Sequence, residues 1–315
     1  MTTSLQPDSA APVTAHPRPL LLNSAAVLMV VIWSLNYIFG KFALLHMDGL
    51  TLASFRLVMA GVLIVPVYFV RGLTHPPRQR FPMRDWPALV WLAIFGVVLN
   101  QGCFTLGLSL TSAGHSAIIV GTVPVVVLLL ARWRGLETLG LMRILGMSIA
   151  FAGVIILTSE SVAPVGPASS RAHPLAGDLF TLLGVIGFAV YTVWGKELAA
   201  RYDSIAMNTF NQVAAGVMVL PLAIRQTWRT DILAIGWRGW ADVFYMAAMS
   251  SIAGYIIFYW ALRHMPASRL AAFSYLQPVI VVVLGAILLS EHLTLHVAMG
   301  GGLALSGVYL TERGA

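Results

Sequence analysis

The sequence predicts an all-α integral membrane protein of ten transmembrane helices, arranged as two inverted five-helix repeats. Three observations lead there. Hydrophobic residues make up 58% of the chain and charged ones 10%, apolar runs of spanning length recur along it, and the second half repeats the residue spacing of the first. So apolar a chain has too little polar surface to cover a soluble domain of its length. An apolar helix needs about 20 residues to cross the hydrocarbon, and such runs stand near 21–41, 50–70, 86–109, 115–131, 138–157, 177–196, 205–224, 240–262, 269–289 and 294–311. They use up nearly the whole chain, which leaves no extramembrane region large enough for a soluble active site.

Residues 1–20 are rich in Ala, Pro, Ser and Thr with a single arginine, Arg18, and read as a disordered cytoplasmic tail without a secretory signal. The first repeat covers 21–160 and the second 161–315. Cys103, the single cysteine, falls within the third run, so no intramolecular disulfide forms. The net charge of +7 is spread over loops with no basic domain behind it, which argues against a nucleic-acid partner. Placing the N-terminus inside puts thirteen Lys and Arg on the inner side and five on the outer, Arg56 lying within a run. That distribution fits both termini in the cytoplasm of a multi-pass protein of the inner (plasma) membrane. Arginine outnumbers lysine 17 to 2, a usage that hints at a GC-rich bacterial genome.

A shift of 154 residues carries Pro124 onto Pro278, Glu137 onto Glu291, Gly146 onto Gly300, Ala150 onto Ala304 and Gly153 onto Gly307. At 155, Gly40 and Lys41 fall on Gly195 and Lys196, Gly61 on Gly216 and Pro66 on Pro221. The only two lysines of the chain are thus repeat partners. Each copy holds five runs, an odd number, so the second enters the membrane from the opposite side. Inverted copies give two conformations that are near equivalents across the membrane, the basis of alternating access to a midplane site.

The stretch YLQPVIVVVLGAILLSEHLTLHVAMGGGLALSGVY, residues 275–309, resembles the end of an EamA repeat of the drug/metabolite transporter superfamily, and WSLNYIFGK, residues 33–41, resembles its opening, with Ser34 where Gly is usual. The resemblance runs from about residue 21 to 312. It implies a ten-span inner-membrane carrier of the kind that exports amino acids and other small metabolites, with membrane lipid around it.

Polar residues carry most information in helices bathed in lipid. Asp178, Asp242, Glu137 and Glu291 all fall at run ends, which argues against a carboxylate proton relay. Trp33, Asn36, Tyr37 and Gly40 share one helical face, and their partners are Phe188, Tyr191, Thr192 and Gly195. Aromatic and hydrogen-bonding groups repeated in both copies fit a cavity for an amphipathic small-molecule solute. An aromatic belt with small-residue packing is the other reading. Trp194 is counted with this lining, as are Asn100 and Gln101 in the third run, Tyr255 and Tyr259 in the eighth, and Tyr275 and Gln277 in the ninth. Interhelical hydrogen bonding is the other reading for the two amides.

Pro124 and Pro278 each remove a backbone bond and free a carbonyl four residues earlier, at Val120 or Ser274, so a kink is expected, which either serves as a hinge or site or is a static kink that shapes packing. Lys41 and Lys196 either complement the C-terminal dipoles of their own helices or act in gates on opposite sides. His115 and Arg269, partners at the starts of the fourth and ninth runs, are expected to meet an anion, and His115 is the best placed group for pH sensitivity. Arg56 either snorkels to the surface, pairs structurally with a helix C-terminus, or neutralises a solute carboxylate. The small residues of the fifth and tenth runs, Gly146 to Gly153 and Gly300 to Gly307, read as packing or dimer faces, so the protein is a monomer or a homodimer. An intramembrane enzyme needs a nucleophile with a base, paired carboxylates or a metal-ligand cluster. The sequence carries no HExxH and no paired intramembrane aspartates, so no metal, cofactor or catalytic residue is expected.

Overall fold

The computed structural model describes residues 17–74, 81–111, 116, 119–138, 140–159, 174–289 and 295–313. Among them every regular element is helical. The first half supplies α1 (Pro19–Ala43), α2 (Gly49–Thr74), α3 (Trp86–Ala93), α4 (Phe104–Leu110), α5 (Val123–Trp133) and α6 (Leu141–Ser159). The second supplies α7 (Pro174–Arg201), α8 (Ser204–Thr227), α9 (Gly236–Tyr245), α10 (Tyr255–His264), α11 (Ala267–Ala272), α12 (Leu276–Leu289) and α13 (Leu295–Arg313).

Matching positions start the second helix of each half. Asp48 accepts hydrogen bonds from the Leu50 and Thr51 backbone N–H groups at 2.9 and 3.0 Å, ahead of α2. Its repeat partner Asp203 accepts from Ile205 and Ala206 at 3.0 and 3.3 Å, ahead of α8. Each carboxylate satisfies N–H groups that the first turn leaves without partners. A second pair of matched features lies in the third helix of each half. There α3 and α4 are joined by wide π turns over Ile94–Cys103, and α9 and α10 by π turns over Met246–Gly254. Such turns are rare and occur mostly as short insertions at functional sites.

The chain is a membrane protein: Pro19–Ala43, Gly49–Leu73, Met83–Leu110, Leu175–Arg201, Ser204–Thr227 and Gly236–His264 are helical, apolar and long enough to span. Leu28, Val62, Phe69, Leu129, Leu145 and Val217 lie exposed on the outer surface, as lipid-facing side chains do. The other four expected runs fall on shorter helices or border residues outside the described set. Two of them differ from the expected mid-helix kink. Pro124 opens α5 after a turn at 121–122, and Pro278 lies in the first turn of α12 after a 3₁₀ turn, Phe273–Tyr275. A first-turn N–H has no helical partner to lose, so proline there starts a helix instead of bending one. The prolines inside helices are another repeat pair, Pro66 in α2 and Pro221 in α8.

Glycines join the halves. A Cβ at Gly146 would fall 2.8 Å from the Gly307 carbonyl oxygen, and one at Gly153 would fall 2.7 Å from that of Gly300. The same contact is therefore made twice between α6 and α13, with the copies exchanged. Between α2 and α8 a Cβ on Gly61 would meet the Gly216 Cα at 3.5 Å. The small-residue stripes of α6 and α13 thus bury each other within one chain, which takes up the surface that a dimer through those faces would need.

Gly307→Ala and Gly153→Ala are each expected to destabilise the protein by about 1–3 kcal/mol, because the added methyl meets backbone that cannot rotate away. Cys103, the single cysteine and buried, reports this as a lower temperature at which a thiol-reactive dye labels it. Gly302→Ala, whose Cβ meets nothing within 4 Å, leaves that temperature unchanged.

Candidate functional site

A cavity of about 590 Å³, its mouth included, lies between the two halves. It sits toward the end of the molecule that carries the α1–α2 connection, since its lining comes from the C-terminal part of α1, the N-terminal parts of α2 and α7, and the end of the π turns before α4. Trp33 lines it. The indole Nε1 donates to the Ser250 carbonyl oxygen at 3.3 Å, and the ring stands edge-on to Phe188 at 5.7 Å and tilted over Tyr255 at 5.3 Å. Gly254 makes room for it, as a Cβ there would fall 2.7 Å from Nε1.

The π turns position the polar wall. Asn100 donates from Nδ2 to the Gly184 carbonyl at 3.0 Å and accepts from the Tyr255 hydroxyl at 2.8 Å. Gly184 permits this approach, since its Cβ would lie 3.1 Å from the Asn100 carbonyl oxygen. In the second copy, amides from α8 bind carbonyls of the π segment: Asn208 donates to Ser251 and Ile252 at 3.2 and 3.1 Å, and Gln212 to Ser251 at 2.9 Å. Arg56 completes the wall from α2. The residue is 2% exposed, and its guanidinium donates to the hydroxyls of Thr105 at 3.3 Å and Ser251 at 3.4 Å. Both hydroxyls direct their own protons to Gln101, Thr105 to its carbonyl at 2.8 Å and Ser251 to its side-chain oxygen at 2.6 Å. No carboxylate lines the cavity among the described residues.

Of the residues expected in the lining, Trp33, Asn36, Tyr37, Asn100, Gln101, Tyr255 and Gln277 are brought together here. Four others lie outside the wall. Tyr191 and Tyr259 are fully buried at the far end, where Tyr191 stacks on Phe258 at 5.9 Å and Tyr259 accepts from Asn211 at 2.7 Å. A methyl at Gly96 would fall inside the Tyr191 ring, so this glycine is what seats the tyrosine. Tyr275 is likewise fully buried in the core. Trp194 packs on Trp133 at 6.2 Å, with the Arg134 guanidinium 5.0 Å over its ring.

Sequence reasoning left Arg56 out of the lining because it lies only two turns into its helix, within reach of a surface. The structure buries it instead, with no snorkelling. Val120 and Ser274, whose carbonyls the prolines were expected to free, both line the cavity. They are repeat partners, as are Trp33 and Phe188, Gln101 and Tyr255, and Val123 and Gln277, all of them in the wall.

The lysines do something other than complement their own helix ends. Lys41 Nζ donates to the carbonyls of Leu108 and Thr111 at 2.8 and 3.4 Å, at the C-terminus of α4. Lys196 Nζ donates to the carbonyls of Leu262 and, at 2.6 Å, Met265, at the C-terminus of α10. These acceptors are themselves repeat partners, so each lysine caps the neighbouring helix of its own half, where carbonyls lack intrahelical donors. Arg269 donates to Asn23 Oδ1 on α1 at 3.3 Å. His115 lies outside the described residues. Glu137 caps α11, accepting from the backbone N–H of Ser268 at 3.1 Å and from its hydroxyl, and pairs with Arg143 at 3.0 Å. No group of three or more His, Cys, Asp or Glu that could hold a metal ion occurs among the described residues.

Apolar spans in two copies, with a polar and aromatic cavity shared between them, define a membrane transport protein. A model of the EamA-like transporter family matches residues 21–159 and again 175–313, and the chain belongs to that family. It is 28% identical over 289 residues to an uncharacterized transporter of Archaeoglobus fulgidus, covering 91% of this chain and 96% of that one. The uncharacterized transporter YvbV of Bacillus subtilis is 28% identical over 90% of this chain and 89% of its own. The uncharacterized inner membrane transporter YedA of Escherichia coli K12 is 25% identical over 94% and 92%. A solved crystal structure shares the fold, with a TM-score of 0.73 over 92% of this chain and 98% of that chain at 15% identity.

Lys41→Met and Lys196→Met each strip two helix-end carbonyls of a charged donor. Each is expected to lower stability by about 1.5–3 kcal/mol, read as earlier thermal labelling of Cys103. Losses of similar size are expected in the two variants, because the contacts are duplicates.

Proposed function

We propose that the protein is an inner-membrane carrier that moves small amphipathic metabolites, amino acids first among them, by alternating access. The observation that supports this reading most is the offset of the cavity. Asn36, Tyr37, Arg56 and Phe104 line it, whereas their repeat partners Tyr191, Thr192, Asn211 and Phe258 are packed shut at the opposite end. Two inverted copies in unlike arrangements are what one state of such a carrier requires, and exchange of the arrangements generates the other state. In this reading the chain crosses the membrane ten times with both termini in the cytoplasm, and the present cavity faces outward. Trp33, Asn36, Tyr37, Asn100, Gln101, Tyr255 and Gln277 contact the solute in this state. Tyr191, Tyr259, Trp194 and Tyr275 belong to the layer that opens in the other. Lys41, Lys196, Pro124, Pro278 and Arg269 act at helix breaks and ends that shift between states, and His115, the repeat partner of Arg269 in the sequence, is assigned the same gating role. With no carboxylate among the described residues of the wall to carry a proton, the carrier works as a facilitator or exchanger.

Counterflow in proteoliposomes, with unlabelled amino acids inside and labelled traces outside, is expected to be saturable. Asn36→Ala should lower it by about tenfold or more, the loss of one buried hydrogen bond to the solute. In a Cys103→Ala background, Tyr37→Cys is expected to react with an impermeant maleimide from the face of the α1–α2 connection and Thr192→Cys from the opposite face. Reaction of both from the same face rejects alternating access. A pH gradient imposed alone is expected to drive no accumulation.

A further inference from the structure

We propose that the cavity takes its solute by a carboxylate, with Arg56 as the counter-ion. This deepens the carrier reading and rests on it. A charge removed from water is costly unless it is paired and fully hydrogen-bonded. Arg56 is buried, yet no carboxylate pairs with it among the described residues, and its two hydroxyl partners stand at 3.3 and 3.4 Å, beyond the usual N–H···O range. Its Nε has no partner at all. Arginine presents its donors as a planar fork that matches a carboxylate bidentately.

Two further groups in the same wall are left without partners. Gln101 has its side-chain oxygen fixed by Ser251 at 2.6 Å, which leaves Nε2, buried, as a free donor. Asn36 Oδ1 is buried as a free acceptor. Unmade bonds on buried groups are expensive in an empty site and are recovered when a ligand makes them. The Arg56 cation with its free Nε and the Gln101 donor suit a carboxylate, and the Asn36 acceptor suits an N–H of the same solute. The remaining wall, Trp33, Tyr37, Phe104 and Phe188, fits an apolar or aromatic body. With no acid lining the cavity among the described residues, an amine without a carboxylate finds a cation where it needs an anion.

The test is a titration of the purified full chain in detergent, following the temperature at which Cys103 becomes labelled. The probes are L-phenylalanine, L-leucine and 3-phenylpropionate beside L-phenylalaninamide and 3-phenylpropionamide, with sodium chloride as a separate arm. The acids are expected to raise the temperature saturably and the amides are not. Arg56→Gln should weaken the apparent affinity for the acids by about thirtyfold or more, and Arg56→Lys should restore part of it. Equal protection by acids and amides, no protection by any acid, or unchanged affinity in Arg56→Gln overturns the proposal. Saturation by chloride with no further effect of the acids assigns the site to a halide and overturns it too. Counterflow separates this from the carrier reading: acids that protect through Arg56 without being transported sink the carrier and leave the site, and transport of acids and amides alike does the reverse.

Discussion

In hydrocarbon no water meets the carbonyls at a helix end, so the fold depends on a donor being brought to each place where a helix stops. Lys41 and Lys196 meet that demand for the third helix of each half, bonding Leu108 and Thr111 in one and Leu262 and Met265 in the other. Once those ends are fixed, α4 and α10 can carry wide π turns above them without unravelling. Those turns bring Asn100, Gln101 and Tyr255 together. The duplicated N-caps Asp48 and Asp203 do the same for the helices that hold Arg56 and Asn211.

Polar chemistry is distributed unevenly over this duplicated frame. One end holds a cavity walled by amides, hydroxyls and a guanidinium, and the other holds an aromatic stack of Tyr191, Phe258 and Tyr259. The same backbone positions thus line a cavity in one copy and are packed in the other. A side chain at such a position has to be tolerable in both surroundings, which favours tyrosine, asparagine and threonine over charged groups. Arg56 is the exception, and its partner position holds neutral Asn211.

Much of this is legible in the sequence. Repeat spacing identifies the lysines as equivalents, and the two-copy arrangement follows from the alignment of Pro124 with Pro278 and Gly153 with Gly307. What each lysine touches is not legible, because its acceptors are backbone carbonyls 66 to 70 residues away, and a carbonyl leaves no mark on residue identity. Seven of the expected lining residues share the cavity, while Tyr191, Trp194, Tyr259 and Tyr275 do not. The alignment makes Asn36 and Tyr191 equivalent, and only the tertiary arrangement tells which of two equivalents faces open space. Arg56 was ambiguous for a different reason: distance along a helix measures depth in the membrane only when the helix end is at the surface, and the capped start of α2 is not enough to establish that.

The glycine seam between α6 and α13 limits how far the two halves can drift apart. Gly146 meets Gly307 while Gly300 meets Gly153, so one copy supplies the space that the other fills. A larger residue on either side would need a compensating change in the opposite copy, at a position already stripped of its side chain. No smaller residue exists to supply one. Along this seam the duplicated halves inherit a shared constraint and diverge only together, whereas at Arg56 and Asn211 they have been free to become different.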